Sequence, residues 1–388
     1  MPPVNSRLQA QRKAKLAELL PKFLEERLKL VSEIKSTLKE EERKEKTHRI
    51  AKNASFKFFC AKVEFLMRNG EISQMVGVSK ETFEKVMTIC RKVPSNVPHS
   101  VRISIFLKFC REGLSQRALS RDVGLSQPTL SRIIQTCIHD IVAVASEYIK
   151  FPTTKEEIRT MEAGFFSRQD ATGRERGVPC FAVLDGKHWR CDHPPHTGSL
   201  NYNYKCFFSF NSLFLSDYES RIIYVQMSSL GVNSDAQMFR DGPLKTILDK
   251  AAATSGIHFL PGTDIVMPSF ILADNGFALS KAVVTPYRAN QLSSSGHLRF
   301  NELISGTRVK IENLFGILTS KFQIFSKNLR LDPKNSRALI VACAVMHNIS
   351  LGPLKVSPDA IRDEPILLDP YKTPENQRSA LKLFMLNR

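Results

Sequence analysis

Three acidic residues in this chain of 388 stand where an oxygen-based metal site would need them. Asp185 follows the apolar run Phe181-Ala-Val-Leu and precedes Gly186. Asp274 ends a second such run, Phe270-Ile-Leu-Ala, and precedes Asn275-Gly276. Glu312 lies in Arg308-Val-Lys-Ile-Glu-Asn-Leu-Phe-Gly316, whose apolar residues have helical spacing. A carboxylate at the end of a buried strand is costly unless a partner or a cation satisfies it. Brought together, the three would suit Mg²⁺ or Mn²⁺ and metal-assisted cleavage of a phosphodiester. A plainer reading also fits: two turn aspartates and a solvent-facing helix glutamate, since Asp-Asn-Gly is ordinary turn chemistry.

The elements that must position these acids change character along the chain. Residues 8–50 are rich in Leu, Lys, Glu and Arg, which predicts one or two amphipathic helices, the first interrupted or kinked at Pro21. Two more helical segments are expected between 55 and 92, split near Gly70 and Gly77, with Ser79 capping the second. Pro94 and Pro98 mark a linker before a helical block at 100–150. Beyond Pro152 and Pro179, short apolar runs at 180–185, 204–215, 221–228 and 269–274 predict strands. The polar turn Ser216-Asp-Tyr-Glu-Ser220 joins the second and third. Helices are predicted near 234–252, from about 306, and over 334–350, with the Pro-rich stretch 353–375 as a tail over the surface. Strands and helices interleaved after an all-helical half indicate an α/β or α+β architecture. The expected divisions are a basic helical extension (1–54), a helical DNA-binding region (55–150), a catalytic domain (151–350) and a C-terminal tail (351–388).

Composition narrows the class. With 42% hydrophobic and 24% charged residues the chain reads as globular rather than fibrous or disordered. No run approaches the ~20 apolar residues of a membrane span. The polar, basic start lacks the apolar core of a secretory signal, so none is expected. Eight cysteines without a C-x-x-C pair suit reduced thiols in an intracellular compartment. Cys180, Cys191, His193, His196 and Cys206 cluster loosely enough to raise zinc, but their spacing matches no usual finger. The net charge is +18, and residues 1–150 hold 28 Lys and Arg against 16 Asp and Glu. Such a field favours polyanions, nucleic acid above all, although a basic solvated surface would look the same. The basic stretch 43–52 reads either as a nuclear import signal or as a solvated helix face.

Residues 114–134 carry a helix-turn-helix pattern. Ser115 can cap a short helix with Ala118, Leu119 and Val123 facing inward, and Gly124 sits at the turn. Ser126 can cap a second helix with Pro128 in its first turn and Leu130, Ile133 and Ile134 as its apolar stripe. Gln127, Thr129, Ser131 and Arg132 would then lie where a recognition helix meets base edges. A trihelical module used only for packing is the alternative.

The order of several motifs resembles PIF/Harbinger transposases. These are Asp185-Gly-Lys-His188, Gly231-Val-Asn-Ser-Asp235-Ala-Gln-Met-Phe239, Ala273-Asp-Asn-Gly-Phe277 with Thr285-Pro-Tyr287, and Arg308 to Gly316. Val341-Ala-Cys-Ala-Val-Met-His-Asn348 resembles the helix that closes that family's catalytic domain. The resemblance spans most of residues 55–350. It implies an RNase H-like core, a mixed sheet flanked by helices, preceded by the all-α helix-turn-helix region. It also implies a catalytic and metal-binding triad of Asp185, Asp274 and Glu312. By the family's mechanism two Mg²⁺ (or Mn²⁺) ions would bridge the acids and the scissile phosphate. Lys187 and His188 would approach the DNA strand, a structural His188 fitting equally well, and Arg308 would pair with Glu312 or with a DNA phosphate. Asp235 reads as a helix cap, with a supporting role behind the triad as the alternative, and Ser234 stands where the family often has histidine. Trp189 reads as core.

The resemblance further implies double-stranded transposon-end and target DNA as substrate, a homodimer, a Myb-like DNA-binding accessory protein, and a nuclear location reached directly or by import with a partner. Two rivals stand beside this reading. One is a domesticated DNA-binding or chromatin protein that no longer transposes. The other is a nuclease for RNA or hybrid duplexes, which would need contacts to the 2′-hydroxyl.

Overall fold

Serine caps and glycine stops shape the first half of the chain. The computed structural model describes residues 4–169, 173, 176–194, 197–356 and 368–387, with side chains described at 29, at 34–47 and from 51 onward. Helix α1 (Val4–Arg68) is followed by α2 (Ser73–Val76), α3 (Lys80–Ile89), α4 (His99–Glu112), α5 (Gln116–Val123), α6 (Gln127–Ala143), α7 (Ala145–Tyr148) and α8 (Lys155–Phe166). The expected break at Pro21 is absent, because α1 runs through it as one helix. A proline removes one N–H from the ladder, but the flanking Leu, Lys, Glu and Arg are strong helix formers. Ser79, Ser115 and Ser126 each accept a backbone N–H in the first turn of the helix they precede, and Gly124 takes the left-handed conformation between α5 and α6. The predicted helix-turn-helix segments are therefore present as two capped helices, packed on α4 and, through the Gly124 turn, on α1.

The second half is built on a five-stranded mixed sheet. In chain order its elements are β1 (Ala182–Arg190), β2 (Ser209–Ser216), β3 (Ile222–Met227), α9 (Asp235–Asp241), α10 (Leu244–Ser255), β4 (Ile257–Phe259), β5 (Val266–Pro268), β6 (Ile271–Leu272), β7 (Val283–Val284), α11 (Ser295–Lys321), α12 (Pro333–Leu351) and α13 (Pro374–Leu386). The sheet order is β3-β2-β1-β6-β7, with β4 and β5 as a separate antiparallel pair. The β1–β2–β3 meander is antiparallel, whereas β1–β6 and β6–β7 are parallel.

Alternation along the strands divides the core into two faces. Val183, Trp189, Phe210 and Phe214 join the cluster that includes Ile311, Phe315 and Cys343 of α11 and α12. Ala182, Leu184, Leu213 and Leu215 join Ile158, Met238 and Leu248 of α8, α9 and α10. The first cluster continues without interruption into Phe83, Phe106 and Ile134 of the helical half. The two halves thus share one core, with α12 packed against α6.

Three expectations are corrected. Residues 204–208 precede β2, because a tight turn at Asn203–Cys206 occupies that stretch. Helix α11 begins at Ser295, eleven positions earlier than predicted, because Phe300 and Ile304 extend its buried face. The tail ends in α13, capped by Thr373, with Leu381, Phe384 and Met385 buried. Arg378 of that helix lies 4.0 Å from the Tyr287 ring, so α13 packs on the sheet half of the chain. Residues 357–367 of the predicted tail fall outside the described residues.

Asn348 fastens the sheet to the helices. Its Oδ1 accepts from the Ile222 amide at 3.0 Å, while its Nδ2 donates to the carbonyls of Ile222 and Tyr148 at 2.7 and 2.9 Å. Asn348→Ala would leave these buried backbone groups unsatisfied, and a loss of about 1–3 kcal/mol is expected in urea unfolding. Unchanged stability would show that the clamp carries none of this.

Candidate active site

Strand register places two of the three acids side by side. In the parallel pair, Ala182 lies opposite Ile271 and Val183 opposite Leu272. Continuing that register by two residues sets Asp185 opposite Asp274, on the same face of the sheet. The Asp274 charge raises the Asp185 pKa, as expected of neighbours. Burial is the larger cause, and together they hold Asp185 at about 6 against an ordinary 3.8, despite the opposing pull of Arg308 and of the Gly186 amide. Asp274 accepts the Gly276 amide at 2.9 Å, the turn bond that its Asn-Gly sequence suggests.

Helix α11 lies over this face. Arg308 points at Asp185, with Nη2 3.6 Å from Oδ2, and its buried Nε has no hydrogen-bond partner. Two turns on, Phe315 meets Trp189 and the Lys187 ammonium, which lies 5.4 Å from the Phe315 ring. Glu312 falls between these contact points, one turn beyond Arg308 and exposed, at the edge of an open groove shared with Gly316 and Ser320. The structure does not draw it onto the two aspartates. Among the described residues no three of His, Cys, Asp or Glu come together as a metal site. That statement covers the loose cysteine–histidine cluster as well: Cys180 and Cys191 are buried and Cys206 is exposed. His193 contacts the Gly198 carbonyl, and His196 lies outside the described residues.

Asp235 is not the helix cap. Ser234 takes that role, its hydroxyl accepting the Gln237 amide at 3.2 Å. The Asp235 carboxylate instead accepts from Asn211 Nδ2 at 2.8 Å and packs directly against Gly186, where any Cβ would collide with it. Side chains at 185 and 186 point to opposite faces, so Asp235 backs the site from behind the sheet. This is the supporting role that stood as the alternative reading of Asp235, and the glycine after the strand aspartate is its one local signal.

The other candidate DNA contacts are dispersed. Lys187 is half-buried, and burial together with Lys205 pushes its pKa down. His188 is wedged between the Tyr204 and Phe207 rings, with Nδ1 2.9 Å from the Ser209 hydroxyl. On α6, Gln127 and Arg132 are exposed, and Thr129 and Ser131 are half-buried. Gln127 contacts Gln116 and faces Lys327 and Arg330 across a hollow of about 510 Å³.

A half-buried carboxylate with a second carboxylate beside it and one guanidinium at 3.6 Å is under-neutralised, and its oxygen donors fit a hard divalent cation. Asp185 and Asp274 meet that description. Glu312 could join them only by a shift of α11 or of its own side chain.

The raised pKa has a consequence for stability. A carboxyl held at about 6 in the folded chain and near 3.8 when unfolded stabilises fully below 3.8, and this contribution is lost as pH rises through about 6. Asp185→Asn should therefore be more stable than wild type at pH 7.5, by on the order of 2 kcal/mol, and nearly equal to it at pH 3.5. Denaturant unfolding across that range checks this, with the similarly raised Asp217 giving the same background slope in both proteins. Parallel pH profiles would contradict the assignment.

Comparison with known proteins bears on the same stretch. Residues 184–348 match the family model described as DDE superfamily endonuclease, a span from one residue before Asp185 to Asn348. The human and bovine proteins named "Putative nuclease HARBI1" are each 26% identical over 249 residues, covering 63% of this chain and 65% of theirs. The Xenopus laevis protein of that name is 23% identical over 254 residues, covering 64% and 67%. The chain thus spans just under two thirds of the length of the mammalian relatives it matches. No solved structure gives a significant match. The segment from Leu184 to Asn348 is accordingly similar to DDE superfamily endonucleases, and the longer match is to relatives named as nucleases.

Proposed function

We propose that this protein cleaves DNA phosphodiesters with the help of divalent cations held at Asp185 and Asp274 and completed by Glu312. The observation that carries the reading is the pair of strand-end aspartates, adjacent on one face and short of positive charge. Two Mg²⁺ or Mn²⁺ ions would supply the charge that activates an attacking hydroxyl and steadies the departing oxygen. The protein's own groups do the rest. Asp235 and Asn211 brace β1 from behind and fix the angle at which Asp185 is presented. Arg308 neutralises Asp185 and, once a cation takes over that task, is placed to hold a phosphate oxygen. The core is of RNase H-like type on this reading, and α5–α6 contacts duplex DNA through Gln127, Thr129, Ser131 and Arg132. Transposon ends as substrate, a homodimer, a Myb-like accessory protein and a nuclear site of action complete the proposal. They rest on the motif resemblance, the family match and the basic N-terminal half.

One observation favours a second reading, a domesticated DNA-binding protein without cleavage. Glu312 is exposed and Arg308 occupies the approach to Asp185. Supercoiled plasmid with Mg²⁺ or Mn²⁺, wild type beside Asp274→Ala, separates the two. The cleavage reading expects metal-dependent nicking that falls to the protein-free level in the variant. Retained DNA binding without nicking, even with cognate ends and partner supplied, would establish the second reading.

A further inference from the structure

One surface feature is used neither by the core nor by the acids. Tyr204 is 79% exposed, at the tip of a turn that is anything but loose. The Cys206 amide closes the turn onto the Asn203 carbonyl at 3.0 Å, and Cys206 adopts φ 61. Asn203 is buried: its Oδ1 accepts the amides of Lys205 and Phe207, and its Nδ2 donates to the Ser209 hydroxyl at 2.8 Å. A buried clamp therefore holds an aromatic ring outward, against the hydrophobic cost of exposing it.

The surroundings of that ring are basic. Lys205 Nζ lies 5.4 Å from the Tyr204 centroid, and His188 meets the ring edge-on at 5.8 Å. Arg190 stacks on neighbouring Phe207 at 3.9 Å, and Lys187 lies close enough to Lys205 for each charge to be felt. The acid that follows Arg190, Asp192, already pairs with Arg330 at 3.1 Å and accepts from Asn328 at 3.0 Å. His188 is three residues beyond Asp185 on the same strand, roughly 10 Å along it and, by alternation, on the opposite face of the sheet.

We propose that Tyr204 is a stacking platform for an unpaired DNA base on the His188 side of β1, with Lys205 and Arg190 gripping the flanking phosphates. The inference rests on the nucleic-acid reading above and adds the form of DNA preferred. A lone ring at a turn tip cannot stack on a base inside a duplex, but it can take the face of a frayed or single-stranded one. Interleaved cations are what such a strand needs along its backbone. Lys205 lies by that ring, Arg190 by Phe207 and Lys187 near Lys205, a basic setting that suits a nucleic-acid strand better than a neutral protein surface.

The test uses the full chain in Ca²⁺ or EDTA, so that binding is read without cleavage. The probes are a duplex with a short unpaired 3′ end carrying 2-aminopurine and the same duplex with blunt ends. Wild type should bind the frayed probe more tightly and quench 2-aminopurine. Tyr204→Ala should bind it about tenfold more weakly and abolish the quenching, with blunt-duplex affinity unchanged. Tyr204→Phe should restore both, and all variants should melt alike because the side chain is exposed. Equal binding and quenching by wild type and Tyr204→Ala would overturn the platform alone. A wild type that binds neither probe at low salt would overturn the nucleic-acid reading with it.

Discussion

The proposed site depends on the parallel pairing of β1 with β6. Only two residue pairs define the contact, yet their register carries Asp185 and Asp274 to the same level and the same face. A one-residue slip would send the carboxylates to opposite faces. The pairing brings two negative groups into partial burial, which neither would choose alone. The fold tolerates this because hydrophobic clusters on both faces clamp the sheet, and because Arg308 descends from α11 to share the charge.

Asp235 shows how the site is supported from the far side. Gly186 has no side chain, so the carboxylate of α9 can lie against the backbone of β1 just past Asp185. Asn211 holds it there from β2. Three elements thus converge on one peptide unit, which gives the strand little freedom to tilt. The continuous core from α4 and α6 into α12 joins the α5–α6 pair to the sheet half.

Much of this was legible in the sequence. The strand-end aspartates stood out because an apolar run that closes on a charge signals a special environment. The serine caps of α3, α5 and α6 and the left-handed Gly124 followed from local chemistry alone. What escaped was tertiary. No local pattern says that Asp235 will sit behind Gly186 rather than cap α9, because the two meet only after β2 and α9 have packed. Helix α13 was hidden by the prolines before it, although Thr373-Pro374-Glu375 and the stripe Leu381, Phe384 and Met385 were sufficient to find it. The short β4–β5 hairpin offers too few residues for any periodicity. The position of Glu312 lay beyond sequence reasoning as well, because helical spacing fixes a residue's face but not its distance from a sheet.

Asp185 and Asp274 are proposed to hold a divalent cation between them. Mn²⁺ titration followed by electron paramagnetic resonance of the free ion measures that directly. Wild type should deplete free Mn²⁺ with at least one site per chain, and Asp185→Asn and Asp274→Asn should each abolish it. Asp192→Asn, which alters an exposed acid on the same strand edge, should leave it intact. Depletion that survives both substitutions, or is absent from wild type, would rule out cation binding by this pair.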